Sequence, residues 1–250
     1  MSGLDPVWLV LAGFGGGLAG SVAGLASLVS YPALLAVGLP PVSANVSNTV
    51  ALVFSSTGSI LGSGPELRGQ RARAKRLAVS SLLGGAAGGV LLLATPPGSF
   101  ALVVPWLIGI ASLGVLVRRR PSIGGRTESH EHGWALPVGV FLVGIYGGYF
   151  GAAAGVLLLG ILLFSTGEPL ARSNAMKNLL AGVANGIAAI AFAAFGPVRW
   201  MAVLPLAAGF LVGGRLGPSI VRRAPATALR VVIACAGLGL AAHLGITAYR

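Results

Sequence analysis

Residues 7–37 pass without a single charged side chain, and residues 134–164 do the same. A helix crosses the hydrocarbon core of a bilayer in about 20 apolar residues. Each run is therefore too long for one plain span and too apolar for the surface of a soluble domain. Shorter apolar runs cover 44–63, 77–95, 100–117, 171–195, 200–220 and 226–248. Together these fix the expected class: an all-α polytopic membrane protein of about eight transmembrane helices. Charged residues make up 9% of the chain, against about 25% in soluble domains, and mean hydropathy is +0.90. The net charge of +12 would suggest nucleic acid in a soluble protein, but the basic residues fall mostly in short loops, where membrane topology accounts for them. A nucleic-acid partner is not expected; the lipid bilayer is. The single cysteine, Cys235, can form no internal disulfide. No basic segment precedes the first apolar run, so that run is expected to stay as a membrane helix rather than be cleaved.

The two long runs are rich in glycine. The first carries glycines at 13, 15, 16, 17, 20 and 24, then Ser27, Ser30 and Pro32; the second carries them at 139, 144, 147, 148, 151, 155 and 160. Such clusters suit helices that break inside the membrane, and breaks are expected near Gly20–Ser27 and Gly147–Gly155. Gly38-Leu39-Pro40-Pro41 and Gly167-Glu168-Pro169 then read as turns.

The order of features repeats. A shift of 127 residues pairs Gly24 with Gly151, Ala44 with Ala171, Ser47 with Asn174, Leu52 with Leu179 and Gly58 with Asn185. The expected organisation is a four-helix repeat at 1–117, a polar cytoplasmic linker at 118–133 and a second four-helix repeat at 134–250. Four spans per half imply halves of equal orientation. With the N-terminus inside, eleven basic residues fall on the inner side and four on the outer, which supports inner termini. Arg222 and Arg223 conflict with that count.

Chemistry concentrates in the polar-studded spans. Asn174, Asn178, Ala181 and Asn185 follow helical spacing along one face, with Lys177 beside Asn174. The first half offers Asn45, Ser47, Asn48 and Thr49, with Ser55 and Ser59 further along. Polar groups in hydrocarbon are costly unless they pair or line a wet cavity, so the stripe reads as a substrate site. The competing reading has Lys177 snorkelling to the interface and the asparagines joining helices. Arg215, inside the seventh span, is a further candidate; the bland alternative is a carbonyl-capping or snorkelling arginine. The starts of the second and sixth spans would add the partial positive charge of helix N-termini.

Other chemistries fit poorly. None of the five acidic residues lies at mid-membrane, and no ATP-binding, zinc or nucleophile-elbow motif is present. His130-Glu131-His132 places two histidines that would point apart on a helix, with no further ligand near, so a solvated linker suits it better than a metal site. His243 stands alone. No cofactor or metal is expected.

The pattern resembles the sulfite exporter TauE/SafE family of membrane permeases. The carrying features are Gly20–Gly24, Pro32, Gly38-Leu39-Pro40-Pro41 and Ala44–Thr49, repeated as Gly147–Gly155 and Ala171–Asn178, with Gly213-Gly214-Arg215-Leu216-Gly217 in the seventh span. The resemblance covers nearly the whole chain. The family's Gly-Gly-Gly run is replaced here by Gly24-Leu25-Ala26-Ser27 and Gly151-Ala152-Ala153-Ala154-Gly155, which leaves substrate identity open. The resemblance implies a non-enzymatic permease of the cytoplasmic membrane that moves small anions such as sulfite, sulfoacetate or similar organic acids by a secondary mechanism. A homo-oligomer is compatible with it. The rival class is a membrane-embedded accessory subunit or enzyme without transport activity.

Overall fold

The computed structural model describes residues 4–117, 134–221 and isolated positions between 235 and 246. The linker 118–133, its His130-Glu131-His132, His243 and most of the expected eighth span lie outside the described residues. In chain order the helices are α1 (Asp5–Ala23), α2 (Ala26–Ala36), α3 (Pro41–Gly62), α4 (Gly64–Leu67), α5 (Arg71–Ala94), α6 (Pro97–Val117), α7 (Ala135–Tyr149), α8 (Ala154–Thr166), α9 (Leu170–Phe195) and α10 (Trp200–Val221). Among the described residues, α1, α5, α9 and the Trp200–Ile220 stretch of α10 are long and apolar enough to cross a membrane.

Both long charge-free runs break where glycine predicted, but the chain reverses there instead of bending. Gly20 meets Ala26, Gly15 meets Val29, and Trp8 and Leu11 share a groove with Pro32 and Ala36. That pairing makes α1 and α2 an antiparallel hairpin. Likewise Gly147 meets Ala154 and Gly139 meets Ile161, so α7 and α8 form a second hairpin. At the first tip Gly24 is left-handed at φ +76°, and its N–H donates to the Gly20 carbonyl at 2.8 Å. At the second tip Gly151 has φ +72° and Ala153 φ +59°. A left-handed conformation costs an alanine about 1–2 kcal/mol, which the packing around the tip must hold.

Helix directions follow from the close glycine contacts. Gly13 faces the Leu206–Phe210 turn of α10 and Gly17 faces Phe210–Gly214, while Gly58 faces Leu211–Arg215 and Gly62 faces Arg215–Pro218. So α1, α3 and α10 run parallel. Gly84 faces Phe141–Ile145 of α7 and Gly88 faces Ile145–Tyr149. Ser81 donates to the Leu180 carbonyl at 2.6 Å, and Gly89 lies against Ala188. So α5, α7 and α9 also run parallel to one another. The two groups oppose each other: mid-helix Ser56 of α3 meets Gly182 of α9, and Ser47 near the start of α3 accepts from the Arg199 N–H just past the end of α9 at 2.9 Å. This corrects the expected equal orientation. Because each long run is a hairpin, an extra reversal precedes α3 and α9, and the corresponding elements of the two halves are inverted.

Two smaller corrections concern register. The prolines that open α3 and α9, Pro40 (φ −58°, ψ 151°) and Pro169 (φ −54°, ψ 151°), share one conformation. They stand 129 residues apart, whereas the left-handed Gly24 and Gly151 stand 127 apart. The second hairpin therefore carries two extra residues, and Asn45, not Ser47, is the counterpart of Asn174. In addition α5 starts at Arg71, so most of the basic segment expected as loop is its first helical turns. On that face Glu168 accepts from Arg73 at 3.0 Å and forms an ion pair with Arg172 at 3.3 Å, and Arg172 also reaches the Arg68 carbonyl at 3.3 Å.

Candidate functional site

The two hairpin tips pass against each other at the centre of the bundle. A Cβ built on Gly155 would lie 2.6 Å from the Gly24 Cα, so the pair permits backbone-to-backbone contact that a side chain would prevent. Beside this crossing lies a cavity of about 60 Å³. One water needs about 10–15 Å³ of such space, so the cavity holds several waters or one small ion. Its walls come from both tips (Gly20, Gly24, Ser27, Gly151, Gly155), from α3 (Ser55, Ser56, Ser59) and from α9 (Lys177, Asn178, Asn185).

Lys177 is 1% exposed, which rules out snorkelling. Its Nζ donates to the Gly20 carbonyl at 2.8 Å and the Ser21 carbonyl at 3.1 Å, both at the end of α1. Asn174 donates to the same Ser21 carbonyl at 2.9 Å, and Asn178 makes a longer contact there at 3.5 Å. The reason is local: α1 stops inside the protein, so the carbonyls of its last turn point into the interior; that of Gly20 accepts the Gly24 N–H and still has a second lone pair to offer. They carry partial negative charge, which a buried cation complements. The other half repeats the device with a neutral group. Asn45 donates to the Tyr149 carbonyl at the end of α7, at 2.8 Å. Each polar helix thus caps the broken hairpin of the other half.

The starts of α2 and α8 open onto the cavity through Ala26, Ser27, Ala154 and Gly155. Helix starts offer N–H groups and partial positive charge. The helix ends that could receive an anion are therefore these two. The starts of α3 and α9, expected to serve, are at Pro41 and Leu170, and no residue of their first turn lines the cavity.

The structure separates the sequence candidates. Lys177, Asn178 and Asn185 line the cavity, while Asn174 and Asn45 stand behind it as caps. Asn48 ties α2 to α3: it accepts from Ser30 at 2.6 Å and donates to Ser27 at 3.2 Å. Ser47 is taken by Arg199, and Thr49 donates to the Asn45 carbonyl at 3.1 Å. The Arg215 side chain is exposed on α10 and lies outside the cavity wall, while the Arg215 backbone packs on Gly58 and Gly62. Ser55 and Ser59, noted further along the first polar span, line the cavity, and Ser27 and Ser56 join them without having been singled out as site residues. Their signal was visible as hydroxyls clustered inside an apolar span.

The chain is 23% identical over 243 residues to a "probable membrane transporter protein ORF9" of Sinorhizobium sp., covering 95% of this chain and 91% of that one. It is 25% identical over 232 residues to a "probable membrane transporter protein" of Haemophilus influenzae, covering 90% and 88%. It is also 25% identical over 215 residues to the "probable membrane transporter protein YfcA" of Escherichia coli K12, covering 85% and 77%. No solved structure matches the chain. The model of the family described as "Sulfite exporter TauE/SafE" matches residues 9–244, and the chain belongs to that family of membrane transporters.

Proposed function

We propose that the protein is a secondary permease of the cytoplasmic membrane that moves small sulfur-containing anions such as sulfite or sulfoacetate. The observation that carries the reading is the cavity wall. Lys177 and the starts of α2 and α8 bring positive charge to a space bounded by serine hydroxyls, asparagine amides and glycine backbone. An anion permease needs positive potential without a deep trap, because the ion must leave again. Broken helices meeting near the midplane, contributed by inverted halves, are a recurring way to build such a site. Separation of the tips at Gly24 and Gly155 toward one face or the other would expose the cavity alternately.

Charge distribution supports one orientation. Arg68, Arg71, Arg73, Lys75, Arg76 and Arg172 share the face where α3 ends and α5 and α9 begin, whereas Arg199 sits on the opposite face. By the positive-inside bias the first face is cytoplasmic. α10 ends on that face too. Residue 5 then begins on the outer face, the reverse of the inner N-terminus expected from the charge count, and α7 begins on the cytoplasmic face.

The test is uptake of labelled sulfite and sulfoacetate into proteoliposomes, with wild type beside Lys177→Met. Wild type carries at least one of the two anions, and the variant, though monodisperse in detergent, carries neither above empty vesicles. Wild-type flux in Lys177→Met would end the claim that this residue binds substrate. No flux of either anion in wild type would end the substrate assignment.

A further inference from the structure

We propose that the outward face at the start of α5 is a docking site for an anionic phospholipid. Its phosphate lies between Arg71 and Lys75, and an acyl chain runs along Val79, Leu82 and Leu83. Such a site is independent of what the cavity carries.

α5 has two faces. Leu77, Ser81, Gly84, Gly85 and Gly88 are buried, with the glycines against the backbones of α7 and α9 and Ser81 donating to the Leu180 carbonyl. The opposite arc holds Arg71, Lys75, Val79, Leu82, Leu83 and Val90, all exposed. Spacing of four residues stacks Arg71, Lys75 and Val79 one turn apart, and the leucines continue the same arc. Because α5 is long and apolar enough to span a membrane, this arc meets lipid. From Val79 to Val90 it covers roughly 16 Å at 1.5 Å per residue, close to the roughly 15 Å depth of one leaflet's hydrocarbon. The change from apolar to basic between Val79 and Lys75 therefore falls where acyl chains give way to headgroups.

The charge at that level calls for an anion. The first six residues of α5 include Arg71, Arg73, Lys75 and Arg76, and the helix contains no acidic residue. Glu168, the acidic residue before α9, is shared by Arg73 and Arg172, and Glu66 lies on α4. Among the described residues, no hydrogen bond or ion pair engages Arg71 or Lys75. Like charges one turn apart on a helix repel each other, and cations at a helix start oppose its macrodipole. A phosphate between the two side chains relieves both effects. Arginine and lysine also suit this depth, since their stems lie along apolar surface while their heads reach the interface.

Other occupants satisfy only half of the face. A free anion complements the basic turns and leaves the apolar stripe unused. A second copy meeting this face about a two-fold axis would set the same basic turns against each other. An anionic phospholipid matches the charge and the stripe together.

The experiment uses the full-length protein in detergent. Phosphatidylglycerol, phosphatidylcholine of the same chain length and inorganic phosphate are titrated in parallel, with binding read by native mass spectrometry and by thermal melting. Phosphatidylglycerol is expected to bind and to raise the wild-type melting temperature, and added salt is expected to weaken the effect. Phosphatidylcholine and inorganic phosphate are expected to do neither at the same concentration. Each basic residue near the headgroup is worth about five-fold in affinity, so Arg71→Gln/Lys75→Gln is expected to bind phosphatidylglycerol about 25-fold more weakly. Arg199→Gln, on the opposite face, is expected to bind it as wild type does. Equal responses to the two lipids would overturn the inference, as would an undiminished phosphatidylglycerol response in the double variant. Inorganic phosphate matching the lipid would make this a free-anion site. A dimer by light scattering that the double variant loses would give the face to a second copy; either result overturns the lipid assignment. Should the double variant fail to fold, the wild-type comparison of the two lipids and the expected five-fold loss in Arg71→Gln alone decide the matter.

Discussion

Replacing Asn45 by leucine should loosen the second hairpin selectively. Asn45 is 1% exposed. Its Nδ2 holds the Tyr149 carbonyl at 2.8 Å, while its Oδ1 meets no hydrogen-bond donor. Asn45→Leu takes the donor from the carbonyl end of α7. A buried acceptor left unsatisfied costs about 1–3 kcal/mol, and removing the orphan amide oxygen returns part of that. The expected net loss is about 1–2 kcal/mol, or roughly 5- to 30-fold in the opening equilibrium of the tip. The matched change in the other half, Asn174→Leu, should matter less. There the Ser21 carbonyl keeps Lys177 at 3.1 Å, and under about 1 kcal/mol is expected. Amide hydrogen exchange in lipid nanodiscs reads both tips: Phe150 and Gly151, whose N–H groups donate to Tyr146, and Gly24 and Leu25 at the first. Unchanged protection at 150–151 in Asn45→Leu, or equal loosening of the first tip in Asn174→Leu, would refute the capping argument.

Gly155→Ala pushes a Cβ to 2.6 Å from the Gly24 Cα. Because backbone has no rotamer to yield, a loss of about 1–3 kcal/mol is expected in detergent melting. Gly186→Ala, which meets nothing within 4 Å, should match or exceed wild type as a control. Ser56→Leu should fill the cavity of about 60 Å³ and abolish anion flux; flux at the wild-type rate would place the pathway elsewhere. Glu168→Gln releases Arg73 and Arg172, but these groups are 20–38% exposed. The melting change should stay below about 1 kcal/mol and shrink further in high salt.

The membrane class, the two breaks and the polar stripe were legible from local pattern. Charge-free length sets the number of crossings available, glycine marks where a helix can stop, and helical spacing puts Asn174, Asn178 and Asn185 on one face with Lys177 beside Asn174. The same glycines serve a kink or a full reversal, so the sequence alone could not tell a bent span from the α1–α2 hairpin. That one choice also decides orientation, and the inverted halves followed from contacts such as Ser47 with Arg199. A simple slide likewise hid the two-residue difference between hairpins, and so paired Ser47 with Asn174 in place of Asn45. Arg215 shows the remaining limit. Periodicity says which residues share a helix face, but not whether that face meets a cavity, a neighbouring helix or lipid. Only the packing of α10 against α1 and α3, which places the Arg215 backbone on two glycines and leaves its side chain exposed, settled that. The cavity itself belongs wholly to tertiary structure, because its wall joins residues from Gly20 to Asn185 that meet only when the two hairpin tips cross.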